Sequence, residues 1–250
     1  QVTVPAAEYT AARGAELERG AAEGGERLNW TGGGEVDWTV AVPEAGLYQI
    51  ALRYCPLEGT GADIELGVQI DGAYPFAEAA ALSLPRWWRN DGDSRTDAQG
   101  NEFTPVQTEA FLWSDGWLTD PNDVLSEPLQ FYLQKGVNRL TVKLLNEAVS
   151  LEAIVLCPRR DTPAYEEYLK NHEGAADYTG VQLDIQGEKA DFKSSDSLIP
   201  LTDQSSPHAS PSDPQRSRLN YIGATNWQTT GDTLVWQVEG PESGFYTLSF

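Results

Sequence analysis

The fold is decided by residues 35–54, which read EVDWTVAVPEAGLYQIALRY. Polar and apolar residues alternate over 35–42 and again over 47–54, and a period of two is typical of half-buried β-strands. The four residues between these runs, 43–46, include the Pro and Gly that favour a turn. The stretch therefore predicts two strands joined as a β-hairpin.

Further short strands are predicted downstream, and turn residues separate them. Asp71-Gly72 ends the first of these strands, and Lys135-Gly136 separates two others, because glycine permits tight turns. Many short strands of this kind are typical of sandwiches and barrels. The sequence therefore predicts an all-β protein built as an antiparallel jelly-roll β-sandwich. The additional strands are 64–70, 129–133, 139–145 and 149–156.

The chain divides into three parts by pattern. Residues 1–160 form the predicted jelly-roll module, and 85–128 form a loop inserted in it, rich in Asp, Asn, Gly and Trp and without sustained periodicity. Residues 161–180 form a predicted helical linker, in which Thr162 is the N-cap and Pro163 the first helical residue. Residues 181–250 form the N-terminal part of a second, incomplete β-sandwich.

An internal repeat supports the second sandwich. The repeat ends at Phe250, in the strand that corresponds to 51–54 of the first copy. Half a sandwich leaves strand edges open. We therefore expect that the chain belongs to a longer protein, or that another part of the molecule completes the second copy. The matching pairs are Leu28-Asn29-Trp30 with Leu219-Asn220-Tyr221, Trp38 with Trp236, 42–48 with 240–246, and Ala7-Glu8-Tyr9 with Gly187-Glu188-Lys189.

Composition excludes several classes of partner. The formal net charge is −21, whereas nucleic acids and anionic membrane surfaces need a basic face. The sequence also lacks an apolar run near the roughly 20 residues that cross a bilayer, so no membrane insertion is expected in this segment. The chain starts at Gln1, without a Met or a signal peptide, a pattern that fits a mature or trimmed protein. Cys55 and Cys157 each end a strand-like run, and a disulfide and two inert thiols both remain open.

The residues 38–54 resemble carbohydrate-binding modules of families 6 and 35, which read as a strand, "VPEAG-x-Y", and a strand ending in Arg-Tyr. The segments 136–142 and 151–156 look like the last two strands of those modules. The resemblance covers roughly 1–158, apart from the insertion, and 181–250. It implies a galactose-binding-like jelly roll that binds a glycan or oligosaccharide and catalyses no reaction, in an extracellular or cell-surface bacterial protein.

The tandem arrangement also resembles modules fused to the extracellular solute-binding proteins of bacterial ABC transporters. The residues that carry this second resemblance are 187–189, 193–195, 203–207 and 219–223. It implies that the partners of this chain include neighbouring domains of a longer chain.

The family resemblance also implies a structural calcium ion. Many of these modules hold the ion with a Glu-x-Glu pair in the first strand and an Asp in the last strand. Here Ala6 stands at the first position, Glu8 at the second, and Glu152 is the acid of the last strand. Calcium takes six to eight oxygen ligands, so this set is short and the presence of the ion stays open.

Candidate ligand-binding residues lie mainly in the insertion. Sugars stack their C–H faces on aromatic rings and hydrogen-bond to amides and charged groups. Trp87 and Trp88 lie beside Arg89, and since adjacent residues on a strand face opposite ways, we expect at most one Trp to face a ligand and the other to fill the core. Asn101 lies in the oxygen-rich run 97–102, for which a solvated turn is the alternative.

Three further candidates complete the predicted site. Trp113 and Trp117 flank Asp115-Gly116, which predicts a tight turn that presents both rings near one edge. Asn146 lies in the loop before the last strand, where the resembling modules often carry an Asn that contacts ligand. Its alternative role is that of a turn former.

The sequence lacks a recognisable catalytic motif. Neither a Gly-x-Ser-x-Gly elbow, nor a phosphate loop, nor an HExxH helix is present. A triad would need His172 or His208, which lie in the predicted linker helix and in a Pro/Ser-rich loop. Two alternatives to glycan binding remain: a β-sandwich that only packs against a neighbouring domain, and an accessory part of a glycoside hydrolase whose catalytic domain lies elsewhere.

Overall fold

The computed structural model describes residues 1–22, 25–122, 124–125, 127–159, 162–206 and 208–249. The chain forms two compact units. The first contains residues 1–88, 108–159 and 229–232, and the second contains 89–107, 160–228 and 233–250. The predicted insertion 85–128 is thus shared between them. The boundary predicted at 160–161 and the end of the repeat at Phe250 lie outside the described residues.

Short strands dominate both units. Strands in the first half of the chain are β1 (Val2–Pro5), β2 (Ala11–Arg13), β3 (Glu16–Ala22), β4 (Gly25–Gly32), β5 (Glu35–Val42), β6 (Gly46–Pro56), β7 (Ile64–Ile70), β8 (Leu82–Leu84), β9 (Trp87–Asn90), β10 (Arg95–Thr96), β11 (Glu102–Phe103), β12 (Gln107–Ala110) and β13 (Ser114–Trp117). They are followed by β14 (Gln130–Leu133), β15 (Gly136–Leu144), β16 (Val149–Pro158), helix α1 (Tyr165–Asn171), β17 (Phe192–Lys193), β18 (Pro200–Leu201), β19 (Tyr221–Ile222) and β20 (Leu234–Val235). Single 3₁₀ turns occur at Ala6–Glu8, Glu78–Ala80 and Ala224–Asn226.

The first unit is an antiparallel β-sandwich, which confirms the predicted jelly-roll class. Among the described residues, one sheet has seven strands in the order β13-β6-β16-β4-β3, with β1 beside β16 and β14 beside β6. The other sheet has five strands in the order β2-β5-β15-β7-β8. The two sheets share a continuous apolar core that includes Trp30, Trp38, Ile50, Phe131 and Leu140.

Strand boundaries agree with the period-two pattern. The prediction 64–70 coincides with β7, and Asp71 (φ 52°) and Gly72 (φ 89°) form the predicted turn after it. The residues of β5 and β6 that face the core are almost fully buried. The predicted helix is present as α1, but it begins at Tyr165 with Ala164 as its N-cap, so the predicted N-cap Thr162 and first helical residue Pro163 are wrong.

The predicted β5–β6 hairpin is wrong. β5 pairs with β15 and β2 in the five-stranded sheet, whereas β6 pairs with β16, β13 and β14 in the seven-stranded sheet. The link 43–46 is therefore a corner at which the chain crosses from one sheet to the other. Alternation reports which face of a strand is buried, and it does not report the partner strand, so it could not separate a hairpin from a corner.

The two cysteines are free thiols at opposite ends of one strand pair. Cys55 lies opposite Ser150, and Cys157 lies opposite Gln49, six residues from Cys55 along β6. Six residues of a strand span roughly 20 Å, far more than a disulfide bridges. Of the two alternatives that the sequence left open, the structure therefore has the unpaired thiols.

The second unit is built from short strand pairs. β17 pairs with β20, β18 with β19, and β10 with β11, all antiparallel. Large apolar side chains remain exposed in this unit, among them Val181, Leu183 and Ile185. The unit also repeats one hydrogen bond of the first: the Tyr48 hydroxyl donates to the Glu44 carbonyl at 2.9 Å, and the Tyr246 hydroxyl donates to the Glu242 carbonyl at 2.6 Å.

Candidate functional site

Several connecting segments of the first unit meet at one end of the sandwich. Pro56, at the end of β6, lies opposite Val149, at the start of β16, and Ile64 of β7 lies opposite Leu84 of β8. This register brings together the residues 57–63, 85–88 and 145–148. We call this end of the first unit the loop end.

Arg86 cross-links the segments of the loop end. Its side chain is 0% exposed. Its guanidinium donates to the carbonyls of Ala62 at 2.5 Å and Leu57 at 3.0 Å, to Glu147 Oε2 at 2.8 Å, and to the carboxylate of Glu109. One buried arginine thus cross-links the loop 57–63, the strand β12 and the loop 145–148, and its two carboxylate partners balance its charge.

Further bonds hold the same loops. The hydroxyl and the backbone N–H of Thr60 both donate to the carboxylate of Glu147. The Thr60 hydroxyl, aided by that backbone N–H and by Arg86, holds the pKa of the Glu147 carboxyl below its usual value. Asp63 accepts the backbone N–H of Arg86 at 3.2 Å, although burial raises the pKa of this carboxyl. The loop end is therefore pre-organised by ionic and backbone hydrogen bonds.

Trp87 and Trp88 follow the buried Arg86 directly, and both are half-buried. The Trp87 indole N–H donates to Ser114 Oγ at 3.1 Å. The Trp88 ring lies over the backbone of Gly61, where an added Cβ would lie 3.4 Å from Trp88 Cη2. The expectation that one of the two rings fills the core is wrong, because Arg86 occupies the buried position and neither tryptophan belongs to the core.

Trp113 and Trp117 are also half-buried, but they do not flank a turn. Residues Ser114–Trp117 form β13 against β6, with Gly116 opposite Leu52. A Cβ at Gly116 would lie 2.6 Å from Leu84 Cδ2, so this glycine permits close packing in a strand. The predicted Asp115-Gly116 turn is therefore wrong.

β13 separates the two tryptophans along the sheet. Trp113 lies at the start of β13, near Ser114 and the loop end, and Trp117 lies four residues further, roughly 13 Å along an extended strand. Trp117 shares its face of the sheet with Asp115, which is paired with Arg53 at 3.3 Å. The structure thus places Trp113 next to Ser114, which accepts the Trp87 indole N–H, and places Trp117 further along the strand.

Asn146 lies at the loop end, in the loop before β16. Its Oδ1 accepts the backbone N–H of Glu65 at 2.6 Å, so its side chain anchors the start of β7. Of its two predicted roles, this bond fits that of a residue that stabilises the loop, next to Glu147 of the Arg86 network. Its contact with a ligand stays a prediction.

Arg89 and Asn101 belong to the second unit. Arg89 is exposed. The Asn101 amide donates to Asp97 Oδ2 at 2.8 Å, and its Oδ1 accepts the backbone N–H of Ser217 at 2.9 Å. These bonds give Asn101 a structural position within the second unit, and a role in ligand binding stays a prediction for both residues.

The residues missed by the sequence analysis are Arg86, Glu109 and Glu147. In the sequence Arg86 is one of two arginines that flank the tryptophan pair, and the other, Arg89, is exposed. The run 86–89 itself does not distinguish the buried Arg86 from the exposed Arg89. The one local signal was the alternation of Leu82 and Leu84, which are both buried, because Arg86 continues the same spacing of two residues.

The calcium ligands Glu8 and Glu152 lie in the first unit. Glu8 ends the 3₁₀ turn after β1 and is exposed, and Glu152 lies at the bulge in β16, 3.5 Å from Arg53 Nε. Among the described residues, no cluster of three or more His, Cys, Asp or Glu side chains is present. Two carboxylates supply only part of a calcium cage, so the side chains present do not by themselves fit the ion.

The loop end offers aromatic faces beside polar groups on a rigid base. Trp87, Trp88 and Trp113 present indole surface, and the neighbouring Ser114 and Asn146 carry hydrogen-bonding groups. This combination suits a ligand with both C–H and hydroxyl surface. Within the described part of the chain, no helix is long and apolar enough to span a membrane.

Comparison with known proteins finds matches among solved structures. A scan of protein-family models gives no match, and a search of curated proteins gives none. Solved structures do match. A family 35 carbohydrate-binding module from Clostridium thermocellum has a TM-score of 0.40 and 15% identity, over 63% of this chain and 98% of the module.

Two other matches are of the same kind. CBM35 from Paenibacillus barcinonensis has a TM-score of 0.39 and 15% identity, over 64% of this chain and 100% of that module. The module CBM6cm-2 from Cellvibrio mixtus lichenase 5A, solved in complex with cellotriose, has a TM-score of 0.35 and 14% identity, over 64% of this chain and 98% of that module. These identities are too low to transfer a ligand or a binding residue.

Proposed function

We propose that this chain binds glycans, without catalysis, at the loop end of its first unit. The observation that carries the proposal is the placement of Trp87 and Trp88 directly after the buried Arg86. The network beneath them fixes both backbones, so binding a sugar costs little ordering of the protein. The resemblance of residues 38–54 to glycan-binding modules supports the same function.

The proposed contacts with the sugar are of two kinds, stacking on aromatic rings and hydrogen bonds to polar side chains. Half-buried indole rings stack on the apolar faces of sugar rings, and the side-chain amide of Asn146 and the hydroxyl of Ser114 hydrogen-bond to sugar hydroxyls. The carboxylates of Glu109 and Glu147 are engaged by Arg86, and they serve to hold the loops. The proposed role of the chain is thus affinity for a glycan, and it needs no general acid or base.

The test is binding of soluble β-glucans in affinity gels and of cellotriose by calorimetry, followed by a glycan array. Trp87 and Trp88 face opposite ways on β9, so one of Trp87→Ala and Trp88→Ala, together with Trp113→Ala, is expected to weaken binding at least about tenfold, as loss of a stacking aromatic does, and the other to weaken it less. Trp117→Ala is the matched control, since Trp117 is equally half-buried but lies further along β13, and it is expected to leave binding unchanged.

Two outcomes contradict the proposal. Failure of the intact chain to bind any glycan on the array favours the alternative, a β-sandwich that packs against a neighbouring domain. Equal loss with Trp117→Ala and with the loop-end variants moves the site to the sheet face. Circular dichroism of each variant separates loss of binding from loss of fold.

We also propose that the chain works outside the cell, as a tandem module of a longer bacterial protein such as the solute-binding protein of an ABC transporter. The support is the internal repeat, to which the matching Tyr48 and Tyr246 hydrogen bonds add a shared local geometry. Sequencing the complete gene tests this proposal. A cytoplasmic protein without a second module would contradict it.

A further inference from the structure

The second unit contains a buried lysine that has no charged partner in the part of the chain that the structure describes. Lys193 on β17 is 0% exposed. Its Nζ donates to Asn90 Oδ1 and to Gln107 Oε1, which come from the ends of β9 and β12 that belong to this unit. Among the described residues, Lys193 forms no ion pair. A buried ammonium held only by neutral amides is costly, because desolvation disfavours the charged form.

The surroundings of Lys193 suit a neutral amine. A neutral –NH₂ group has two N–H donors, and the structure provides two oxygen acceptors, so deprotonation breaks neither bond. The two carboxamides are fixed in turn, because Gln107 Nε2 donates to Asn90 Oδ1 at 3.0 Å and to the Pro105 carbonyl at 2.9 Å. Opposite Lys193 on β20 lies Leu234, which is apolar.

Among the described residues, no nearby carboxylate compensates for the buried charge of Lys193. The carboxylate of Asp191, two residues earlier, accepts the backbone N–H of Gln237 at 2.6 Å, and it does not pair with Lys193. The groups that face the amine from β9, β12 and β20 are therefore two amides and one apolar side chain, none of which titrates. Burial lowers the pKa of Lys193 from 10.5 to about 8.

We propose that Lys193, Asn90 and Gln107 form a pH-sensitive clamp, which holds residues 89–107 to β17 more tightly when the lysine is neutral. The direction of this pH effect follows from the linkage between proton binding and folding. Below about pH 8 the lysine is protonated in both the folded and the unfolded states, and the folded state carries the full cost of the buried charge. As the pH rises from 8 towards 10.5, only the folded state loses the proton, so the second unit becomes more stable.

The first test observes the lysine directly. The chain has five lysines, so the ¹³Cε resonances of lysine can be followed by NMR in a labelled sample of the whole chain. We expect one resonance to titrate near pH 8 and to be missing in Lys193→Met. If no resonance titrates below about pH 9, or if the one that does persists in Lys193→Met, the clamp does not exist.

The second test measures the clamp itself, as the opening equilibrium of β17 by amide hydrogen exchange corrected for the intrinsic pH dependence. Between about pH 7.5 and 9.5, linkage with these pKa values lowers the opening constant about 20-fold. Lys193→Met should abolish this change. Lys189→Met, an exposed lysine of the same unit, is the matched control and should retain it.

A third variant keeps the proposal testable if Lys193→Met does not fold. Asn90→Asp places a carboxylate against the amine, raises the pKa of Lys193, and should remove the change in opening constant between pH 7.5 and 9.5. An opening constant that falls equally in the wild-type chain and in Asn90→Asp would overturn the proposal. None of these readouts involves a glycan, so failure of the proposed clamp is distinct from failure of the proposed glycan binding.

Discussion

At the scale of the residue, one side chain organises the candidate site. Arg86 is fully buried, and it would be among the most costly groups in the first unit without Glu109 and Glu147. Its neighbour Arg89 is exposed. Two arginines three residues apart in one motif thus have opposite roles, because the loop 57–63, β12 and the loop 145–148 enclose Arg86, whereas Arg89 faces solvent.

Replacing Arg86 by Met should destabilise the first unit by about 3–5 kcal/mol, because two carboxylates are left at the loop end without their cation. Urea unfolding followed by tryptophan fluorescence measures this change. The control is Arg19→Met, which removes an exposed pair with Glu26 and should cost at most about 1 kcal/mol. Equal effects of the two substitutions would contradict the buried network.

At the scale of the element, period-two alternation predicted the strands well and their pairing poorly. β5, β7 and β16 lie where the pattern placed them, since each buries one face against a single core. The partners of β5 and β6 depend on contacts a hundred residues away, such as Val40 with Asn138. Local turn residues do not report such contacts. They also led to the wrong prediction of a turn at Asp115-Gly116, which lies in β13.

The strand β13 supplies the second prediction. Gly116→Ala places a Cβ 2.6 Å from Leu84 and 2.7 Å from Tyr54 Cε1, two side chains of the core. Overpacking of this kind should cost about 1–3 kcal/mol in thermal or urea unfolding. Gly46→Ala at the start of β6 is the control, because nothing lies within 4 Å of its added Cβ. If Gly116→Ala leaves the free energy of unfolding unchanged, β13 does not pack as described.

At the scale of the whole molecule, the net charge of −21 complicates any test for a cation. Added salt of any kind screens the mutual repulsion of 38 acidic residues and stabilises the folded state. A resident calcium ion must therefore be distinguished from general screening. Among the loop-end residues, the sequence analysis proposed Trp87, Trp88 and Trp113 as ligand-binding candidates, which stays a prediction, and it missed the ionic network beneath them.

The calcium expectation gives the third prediction. If Glu8 and Glu152 hold a calcium ion, calcium at about 100 times its dissociation constant should stabilise the chain by about 2.7 kcal/mol over magnesium at equal ionic strength. Differential scanning calorimetry measures this. Glu152→Gln should remove the difference, and the exposed Glu26→Gln should not. Equal stabilisation by both metals would show that the two carboxylates do not form a calcium site.

The buried cross-link at Arg86 has a consequence for engineering. Because Arg86 fastens the loops from beneath, the residues above it need not hold the backbone in place. The positions of Trp87, Trp88 and Trp113 are therefore the natural ones to randomise in a library, with Arg86, Glu109 and Glu147 kept constant. New ligand preferences could then be selected on this chain without redesign of its loops.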